Sequence, residues 1–554
     1  MFSDDVMSIP KSVKTIFREI DVFRKENKEM RCEFLFFWSA IVCAYLSIIF
    51  SRYPHMEDYV RNALGYSCGQ HGRVMTALLE CPLHFSNFVF DISPFSHILS
   101  CAVLAYSSVV LKKMFVHRSH LSFVSLCFLP AAINAYLSAD MLFKYDSLYM
   151  VLAILCSVLA AYLTVNNIHN SIDVMVFQVI LLFMGLTLYH AALSAYFVLC
   201  LYIALIKIAD PETTIYNVLI DMKGWGYTML LTAIIYAPVI INIDSDMIYP
   251  YTDKSFAEFI YIGRIVGKYW IYLCDFVNCW KRDPIYDVFF FLVILFSLSF
   301  IYDIFKSKNE VILKILCALL LLLLFIVSPY GITAITPFAD NASCVLARVL
   351  GCVGIWMSII FYRMFVLLQR LKIFFGLYKA FLIIFSLHNS FLLNSIGNTC
   401  YTSNAMFLRI AFDISNKIDA LATEDKSNPL HSSITYGDLF FGDFVNFAKT
   451  YPVLPSIMTC WRLSYCGILA HFNNDIFDGF IAATTDNTVM LKILLNDVPS
   501  KKVIKSYMWY TIYSINDVNK RKMAAVEING YDGVPPSHFF PIYHHRAAYS
   551  NKRI

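Results

Sequence analysis

Two adjacent acids and a nearby arginine form the stretch of the sequence that is most suggestive of chemistry. Glu57 and Asp58 stand side by side, and Arg61 follows three residues after Asp58. A carboxylate can accept the proton of an attacking hydroxyl group, and an arginine guanidinium holds phosphate oxygens with a planar pair of donors. On a helix, Glu57 and Arg61 would also lie on one face as an ordinary surface ion pair. The residues fit either a site that transfers a phosphate-linked group to a hydroxyl or an ordinary ion pair on the protein surface.

Four more charged residues, which lie between positions 73 and 146, stand in short polar motifs. Arg73 follows a glycine, Asp91 opens the motif Asp-Ile-Ser-Pro, and Lys144 and Asp146 stand in Lys-Tyr-Asp-Ser. We predict Asp91 and Asp146 as further candidate acids and Arg73 and Lys144 as cations for a phosphate. The alternative for the Lys144 motif is anchoring, because Lys and Tyr are common at membrane headgroups.

Three candidates lie farther along the chain. Arg348 stands near the outer mouth of the apolar run 345–366, at its beginning, where a charge is costly unless it is paired or hydrated; its alternative role is snorkelling to the membrane surface. Tyr189 and His190 lie between two apolar runs, and their alternative is a hydrogen-bonded packing pair. No zinc-ligand spacing and no glycine-rich nucleotide motif occurs in the sequence, so we predict neither a metal nor another cofactor.

The composition indicates the kind of element that must position these residues. Of the 554 residues, 58% are hydrophobic and only 15% are charged, and the mean hydropathy is +0.60. Soluble proteins carry about 25% charged residues. The chain is therefore predicted to be a multipass membrane protein of mostly α-helical class, and soluble, disordered and nucleic-acid-binding classes are excluded.

Apolar runs long enough to cross a bilayer need about 20 residues. We predict about 11 spans on this basis, at roughly 34–51, 96–112, 121–138, 147–163, 172–189, 191–208, 225–243, 287–304, 311–328, 345–366 and 373–393. If 172–208 were one span instead of two, the sidedness of all later segments would reverse.

Short basic loops give the expected orientation. Lys112 and Lys113, Lys306, and Arg370 lie in loops that would face the cytoplasm together with the N-terminus, as the positive-inside rule requires. We predict a cytoplasmic amphipathic segment at 1–32, a transmembrane domain at 33–393 with outer loops at 52–95 and 244–286, and an extracytoplasmic α/β domain at 394–554. Within that last domain, 406–421 is predicted as a helix and 433–436 and 526–528 as strands.

The order of these motifs resembles the phage-type serotype-converting O-antigen glucosyltransferases, the Gtr family. The similarity rests on Glu57-Asp58 after the first span, on Arg61 and Gly72-Arg73, on Asp91-Ile92-Ser93-Pro94, and on the Tyr-Asp-Ser-Leu-x-Met stretch at 145–150. It covers roughly residues 50–200 by motif and the remainder by layout. Members more often show Asp-Asp where this chain has Glu57-Asp58, which leaves open which of the two is the base.

The resemblance implies a GT-C type membrane glycosyltransferase of the bacterial inner membrane, with a periplasmic C-terminal domain. Such an enzyme would move glucose from undecaprenyl-phosphate-glucose to O-antigen repeat units of lipopolysaccharide, which converts the serotype. Its pathway partners would be a flippase for the lipid-linked glucose and the synthase that makes it.

Two other functions fit a chain of this topology. A flippase or transporter of lipid-linked sugars would place ionisable groups and broken helices at mid-membrane, often in two related halves. An O-antigen polymerase would share the topology without paired acids after the first span. Because the acids gather at the edges of outer loops, the enzyme is the favoured hypothesis.

Overall fold

The described part of the chain is mostly α-helical, as the composition predicts. The computed structural model describes residues 28–51, 58, 73–85, 89–116, 122–166, 172–241, 274, 277, 280, 283–306, 310–329, 350–372, 374–424, 432–436, 502–506, 510–516 and 522–528. Glu57, Arg61, Arg348 and almost all of the predicted N-terminal segment lie outside these ranges.

The helices follow one another in the order in which the apolar runs were predicted. They are α1 (Lys28–Ala44), α2 (Leu46–Ile49), α3 (Val74–His84), α4 (Phe95–Phe115), α5 (Phe123–Leu126), α6 (Leu137–Met141), α7 (Ser147–Asn166), α8 (Ile172–Leu188), α9 (Leu193–Ala209), α10 (Ile215–Ile241), α11 (Pro284–Phe305), α12 (Val311–Val327), α13 (Val353–Leu371) and α14 (Phe375–Glu424).

Seven described helical segments are long and apolar enough to cross a membrane. They lie in α4, α7, α10, α11, α13 and α14 and in the segment His190–Ala209, and α8 supplies a shorter apolar helix. The chain is therefore a membrane protein, while the number of crossings stays a prediction. The predicted break between α8 and α9 is confirmed, because Tyr189 is extended and a 3₁₀ turn, His190–Ala192, follows it.

The run at 121–138, predicted as a spanning helix, is not one continuous helix. It consists of α5, a 3₁₀ turn (Leu129–Ala131) and α6, and Pro130 within it cannot donate a backbone hydrogen bond. Irregular backbone is tolerated at membrane depth only where protein surrounds it, and every residue from 127 to 150 is buried. Gly354 of α13 makes this packing possible, since a Cβ atom there would lie only 1.9 Å from the Pro130 carbonyl oxygen.

This broken segment runs the whole length of α4. At one end Ser125 and Glu33 contact Lys112, in the last turn of α4. At the other end the Ser96 hydroxyl, in the first turn of α4, donates to the Lys144 carbonyl oxygen at 3.1 Å. Lys144, which follows this segment, therefore lies at the end of the bundle at which α4 begins.

Helix α14, which contains the last predicted span and continues beyond it, holds the first predicted span in place. Asn394 of α14 donates to the carbonyl oxygens of Cys43 and Ala44 and accepts from the Ser47 amide at the kink between α1 and α2. Gly397, one turn on, lies so close that a Cβ atom would be 2.2 Å from the Ser47 hydroxyl oxygen. These contacts fix the end of α2 from which the chain continues towards Asp58.

The tail contains a four-stranded sheet. Strands β1 (Ser432–Tyr436), β2 (Lys502–Ser506), β3 (Tyr510–Asn516) and β4 (Lys522–Ile528) are arranged in the order β1-β4-β3-β2, with β1 parallel to β4 and the other pairs antiparallel. The predicted strands at 433–436 and 526–528 lie in β1 and β4, and the predicted helix at 406–421 lies in α14. Helix α14 runs without interruption through residue 394, where the predicted domain would begin. The boundary and the α/β character of that domain stay predictions.

Candidate active site

Loops at one end of the helix bundle carry most of the predicted site residues. We call this end the site end: it is the end at which α4 and α7 begin and α8 stops. Asp91 precedes α4, Lys144 and Asp146 precede α7, and Tyr189 follows α8. Arg73 directly precedes α3, which is fixed there because the Thr76 hydroxyl donates to the Leu188 carbonyl oxygen at 3.2 Å.

Two ion pairs join acids and cations that are far apart in the sequence. Arg73 Nη1 lies 3.2 Å from Asp146 Oδ2, and Lys144 Nζ lies 3.0 Å from Asp91 Oδ2. The Asp146 and Lys144 side chains are almost fully buried, whereas Asp91 keeps 30% of its side chain exposed. Among these described carboxylates, Asp91 is the most accessible to a molecule outside the protein.

Asp58 completes the group from the first loop. It is fully buried, and its Oδ2 atom accepts the backbone N–H of Lys144 at 2.8 Å. Lys144 therefore binds Asp58 through its main chain and Asp91 through its side chain. One residue of the second motif joins two candidate acids from the first outer loop.

Asp91 is held in its ionised form. Partial burial alone would raise the pKa of its carboxyl group, but hydrogen bonds from the Ser93 hydroxyl and amide and the positive charge of Lys144 outweigh burial and lower that pKa below its ordinary value of 3.8. Asp91 is thus an anion at neutral pH, able to accept a proton but not to donate one.

Tyr189 connects Arg73 to a further acid that the sequence analysis did not single out. The Arg73 guanidinium lies over the Tyr189 ring, 5.3 Å from its centroid, and the Tyr189 hydroxyl donates to Asp140 Oδ1 at 3.2 Å. Asp140 belongs to the broken segment and is buried. Asp140 follows the span predicted at 121–138 by two residues, and only its burial inside the protein distinguishes it from an ordinary loop acid.

His190 contacts a different partner. Its Nε2 atom is hydrogen-bonded to the Tyr236 hydroxyl of α10, an arrangement that the packing alternative also predicts. His97, in the first turn of α4, was likewise not singled out; its ring is buried and its Nε2 atom lies 2.9 Å from the Met141 carbonyl oxygen. Both contacts join helices at the site end.

The structure therefore brings seven of the ten predicted residues to one end of the bundle. They are Asp58, Arg73, Asp91, Lys144, Asp146, Tyr189 and His190. Glu57, Arg61 and Arg348 lie outside the described residues, so their placement stays a prediction, as do the individual roles of all ten.

The charges of this group favour proton acceptance. Within the described residues, four carboxylates (Asp58, Asp91, Asp140 and Asp146) accompany two cations (Arg73 and Lys144), which leaves a formal surplus of negative charge. A bound phosphate would need further cations beside it. No group of His, Cys, Asp or Glu side chains within the described ranges is arranged like a metal site.

Comparison with known proteins places this region in a family. The family model described as "Glucosyl transferase GtrII" matches residues 46–360, a range that contains all ten predicted residues. An "uncharacterized 55.3 kDa protein in gtrB 5'region" of Salmonella phage P22 is 26% identical over 133 residues, which are 24% of this chain and 26% of the phage protein. The chain thus matches only about a quarter of that relative's length. Because the family match covers more than half of the chain, the protein belongs to the GtrII glucosyltransferase family, as its motif order predicted.

Proposed function

We propose that the protein is a hexosyltransferase that moves glucose from undecaprenyl-phosphate-glucose to O-antigen repeat units of lipopolysaccharide, and so converts the serotype. The observation that carries the proposal is the meeting of Asp58, Arg73, Asp91, Lys144 and Asp146 at one end of a membrane helix bundle. The transfer of glucose from a lipid phosphate to a sugar hydroxyl at a membrane surface needs carboxylates and cations close together at one end of the membrane helices.

The proposed step is a displacement at the anomeric carbon of glucose. The acceptor hydroxyl oxygen bonds to that carbon, the bond from carbon to phosphate oxygen breaks, and undecaprenyl phosphate leaves with the electron pair. The hydroxyl proton passes to a carboxylate, for which Asp58, with Glu57 beside it, is the first candidate and Asp91 and Asp146 are the others.

Cations act on the leaving phosphate, where negative charge develops as the bond breaks. Arg73 and Lys144 are the described candidates. Because carboxylates outnumber them, Arg61 and Arg348 are proposed to supply the additional positive charge. Tyr189 and His190 are proposed to line the same site.

The site end is proposed to face the periplasm. The opposite end of the bundle carries Lys112 and Lys113 of α4, Lys306 after α11 and Arg370 of α13, which is typical of the cytoplasmic side of an inner-membrane protein. A lipid-linked glucose would then have to be made in the cytoplasm and turned over by a flippase before it reaches the site. The periplasmic tail would lie on the side of the acceptor glycan.

A glycan profile with and without the protein tests this proposal. In a host that makes the lipid-linked glucose, the protein should add one hexose to each O-antigen repeat and leave the chain length unchanged. Arg73→Ala should abolish the added mass, while Arg370→Ala at the opposite end, matched for charge and expression, should retain it. An altered chain length with no added hexose would favour the polymerase, and accumulation of unflipped donor in the absence of the protein would favour the transporter.

A further inference from the structure

Three of the described histidines stand beside the charged residues of the site end. His84 is the last residue of α3, His97 belongs to the first turn of α4, and His190 opens the 3₁₀ turn that follows α8. Histidine is the side chain that most readily changes its charge near neutral pH. The three rings differ in the hydrogen bond that each one makes, and this bond decides which of them can take up a proton.

The rings of His84 and His97 are held in their neutral form. His84 Nδ1 accepts the Phe90 amide at 3.2 Å, and a nitrogen that carries a proton cannot accept. The His97 ring is only 1% exposed and its Nε2 atom donates to the Met141 carbonyl oxygen. A second proton, on Nδ1, would put an unpaired charge in the protein interior, close to the positive charge of Lys144, and such a charge is costly.

His190 has a partner that suits both protonation states. Its Nε2 atom is hydrogen-bonded to the Tyr236 hydroxyl of α10, and the two ring centroids lie 5.6 Å apart. A hydroxyl group can donate to a bare ring nitrogen and can equally accept from a ring N–H. The His190 ring is also only partly buried. It can therefore gain a proton without losing its hydrogen bond and without placing a charge in a closed interior.

The charges around His190 favour its positively charged form. Its neighbour in the chain, Tyr189, lies beneath the Arg73 guanidinium and donates to Asp140, and Arg73 pairs with Asp146. Two carboxylates thus accompany one cation beside the 3₁₀ turn. A surplus of negative charge stabilises the protonated form of a histidine ring.

The other described groups that surround the turn do not offset this surplus. The turn packs against α7, α8 and α9 and contacts α10 and the 3₁₀ turn before α13. Lys144, before α7, is paired with Asp91, and the charged residues of α8 and α9, Asp173 and Lys207, lie in turns at the opposite end. The remaining groups are phenols and a thiol, which are uncharged near neutral pH: Tyr149 of α7, Tyr196 of α9, Tyr236 of α10 and Cys352 before α13.

A protonated His190 would supply what a phosphate at this site needs. Carboxylates outnumber cations in the described part of the site, and a bound phosphate requires further positive charge beside it. The positive charge of Arg73 acts on the Tyr236 hydroxyl, so the pair of His190 and Tyr236 lies beside the cation that is proposed to hold the phosphate. A third cation would then stand next to Arg73 only when His190 carries its second ring proton.

We propose that His190 takes up a proton when the donor phosphate binds beside Arg73, and that the Tyr236 hydroxyl accepts the hydrogen bond of the protonated ring. The proton comes from water, and no bond of the donor forms or breaks in this step. Tyr236 is a positioning residue, because it acts through His190. The inference rests on the proposed function, since the phosphate of the lipid-linked sugar supplies the anion that the charged ring would bind.

The pH dependence of donor binding tests the proposal without any turnover. Undecaprenyl-phosphate-glucose is bound to the full-length protein in lipid nanodiscs with no acceptor glycan present. Its phosphodiester keeps a single negative charge throughout the range used, and Asp91 stays an anion because its pKa is lowered. The Kd of the wild type should rise at least about tenfold from about pH 5.5 to about pH 8.5, and binding near pH 7.5 should take up close to one proton from solution.

Three variants assign the effect to His190. In His190→Gln the Kd should stay within about twofold across the range, at the weak value of the wild type at high pH. Tyr236→Phe keeps the ring that packs against Phe183 but loses the acceptor hydroxyl, so its Kd should depend less on pH than that of the wild type. His84→Gln is the matched control: its amide oxygen replaces Nδ1 as the acceptor for Phe90, and the full pH dependence should remain.

The outcomes separate this inference from the proposed function. A wild-type Kd that does not change with pH, or a pH dependence that survives in His190→Gln, overturns the role of His190 and leaves donor binding in place. Proton uptake is measured on the wild type alone, so its absence overturns the inference even where a variant fails to fold. A protein that binds no donor at any pH overturns the proposed function and this inference together.

Discussion

Adding one methyl group at Gly351 tests the contacts that connect Asp140, Tyr189 and Arg73. It lies in the 3₁₀ turn before α13, and a Cβ atom there would stand 2.6 Å from Asp140 Oδ2, where real Cβ contacts essentially never come below 3.0 Å. In Gly351→Ala the carboxylate or the turn must therefore move by about 0.4 Å or more, and overpacking of this kind costs about 1–3 kcal/mol.

The displacement should reach Arg73 through Tyr189. The Tyr189 hydroxyl bonds to Asp140 Oδ1 at 3.2 Å, which is longer than the usual distance of about 2.5–3.0 Å for a hydroxyl donor. A shifted Asp140 loses this bond, which is worth about 1 kcal/mol, and the ring beneath the Arg73 guanidinium loses its anchor. We expect Gly351→Ala to lower both the unfolding temperature and the rate of transfer.

A double-mutant cycle separates this route from general damage. Asp140→Ala removes the atom that the new methyl group would strike, so Gly351→Ala should cost little more in that background, with a coupling of about 1–3 kcal/mol. Thermal unfolding in detergent and transfer in vesicles are measured on all four proteins. Gly185→Ala is the control, because its Cβ atom would meet nothing closer than 3.5 Å. Wild-type stability for Gly351→Ala, or strict additivity with Asp140→Ala, would refute the reasoning.

The remaining predictions concern the acids and Arg73. Asp58→Asn keeps an oxygen for the Lys144 amide, so the protein should fold while transfer falls about 100-fold or more; an unchanged rate would remove Asp58 from the reaction. Arg73→Lys keeps the charge without the planar fork and should lose at least about tenfold in rate, whereas Tyr189→Phe, which keeps the ring, should lose less than Tyr189→Leu. Because the pKa of Asp91 is lowered, its pairing with Lys144 stabilises the fold above its ordinary pKa and is lost only as pH falls through the lowered value. The difference in unfolding temperature between wild type and Asp91→Asn should therefore be constant from about pH 8 to about pH 5 and shrink below about pH 4; a difference that vanishes near neutral pH would contradict this.

Hydropathy predicts much of the membrane fold because the bilayer imposes a length and an apolar composition on each helix. It fails at 121–138 because the mean hydropathy of a segment does not indicate whether the backbone N–H and C=O groups form the hydrogen bonds of one continuous helix. Pro130 and Asn134 were visible in the sequence, and Asn134 in fact accepts the Leu137 amide and stabilises the turn. An apolar run predicts burial in lipid or protein alike, and the burial of its residues from 127 onward, together with the close approach of Gly354, shows that it is protein here.

The candidate site was predictable residue by residue but not as a set of contacts. Paired acids and flanking cations identify Asp58, Arg73 and Lys144, yet nothing in the sequence pairs Asp58 with a backbone amide 86 residues away. Asp140 was missed because it follows the predicted span 121–138 and has no sequence feature that separates it from an ordinary loop acid. Helix α3 was also missed. Its polar residues have the spacing of any amphipathic helix, and only the burial of Thr76 shows that the polar face points into the protein.

Transfer by the purified protein tests the central claim most directly. The protein is placed in vesicles with undecaprenyl-phosphate-glucose labelled in the sugar and with O-antigen acceptor, and the label in the acceptor is followed over time. The account predicts label in the acceptor for the wild type, none with a nucleotide-linked glucose as donor, and a loss of about 100-fold or more in Asp58→Asn and Arg73→Ala. Label that crosses the vesicle membrane without joining the acceptor, or transfer that survives both substitutions, would contradict it.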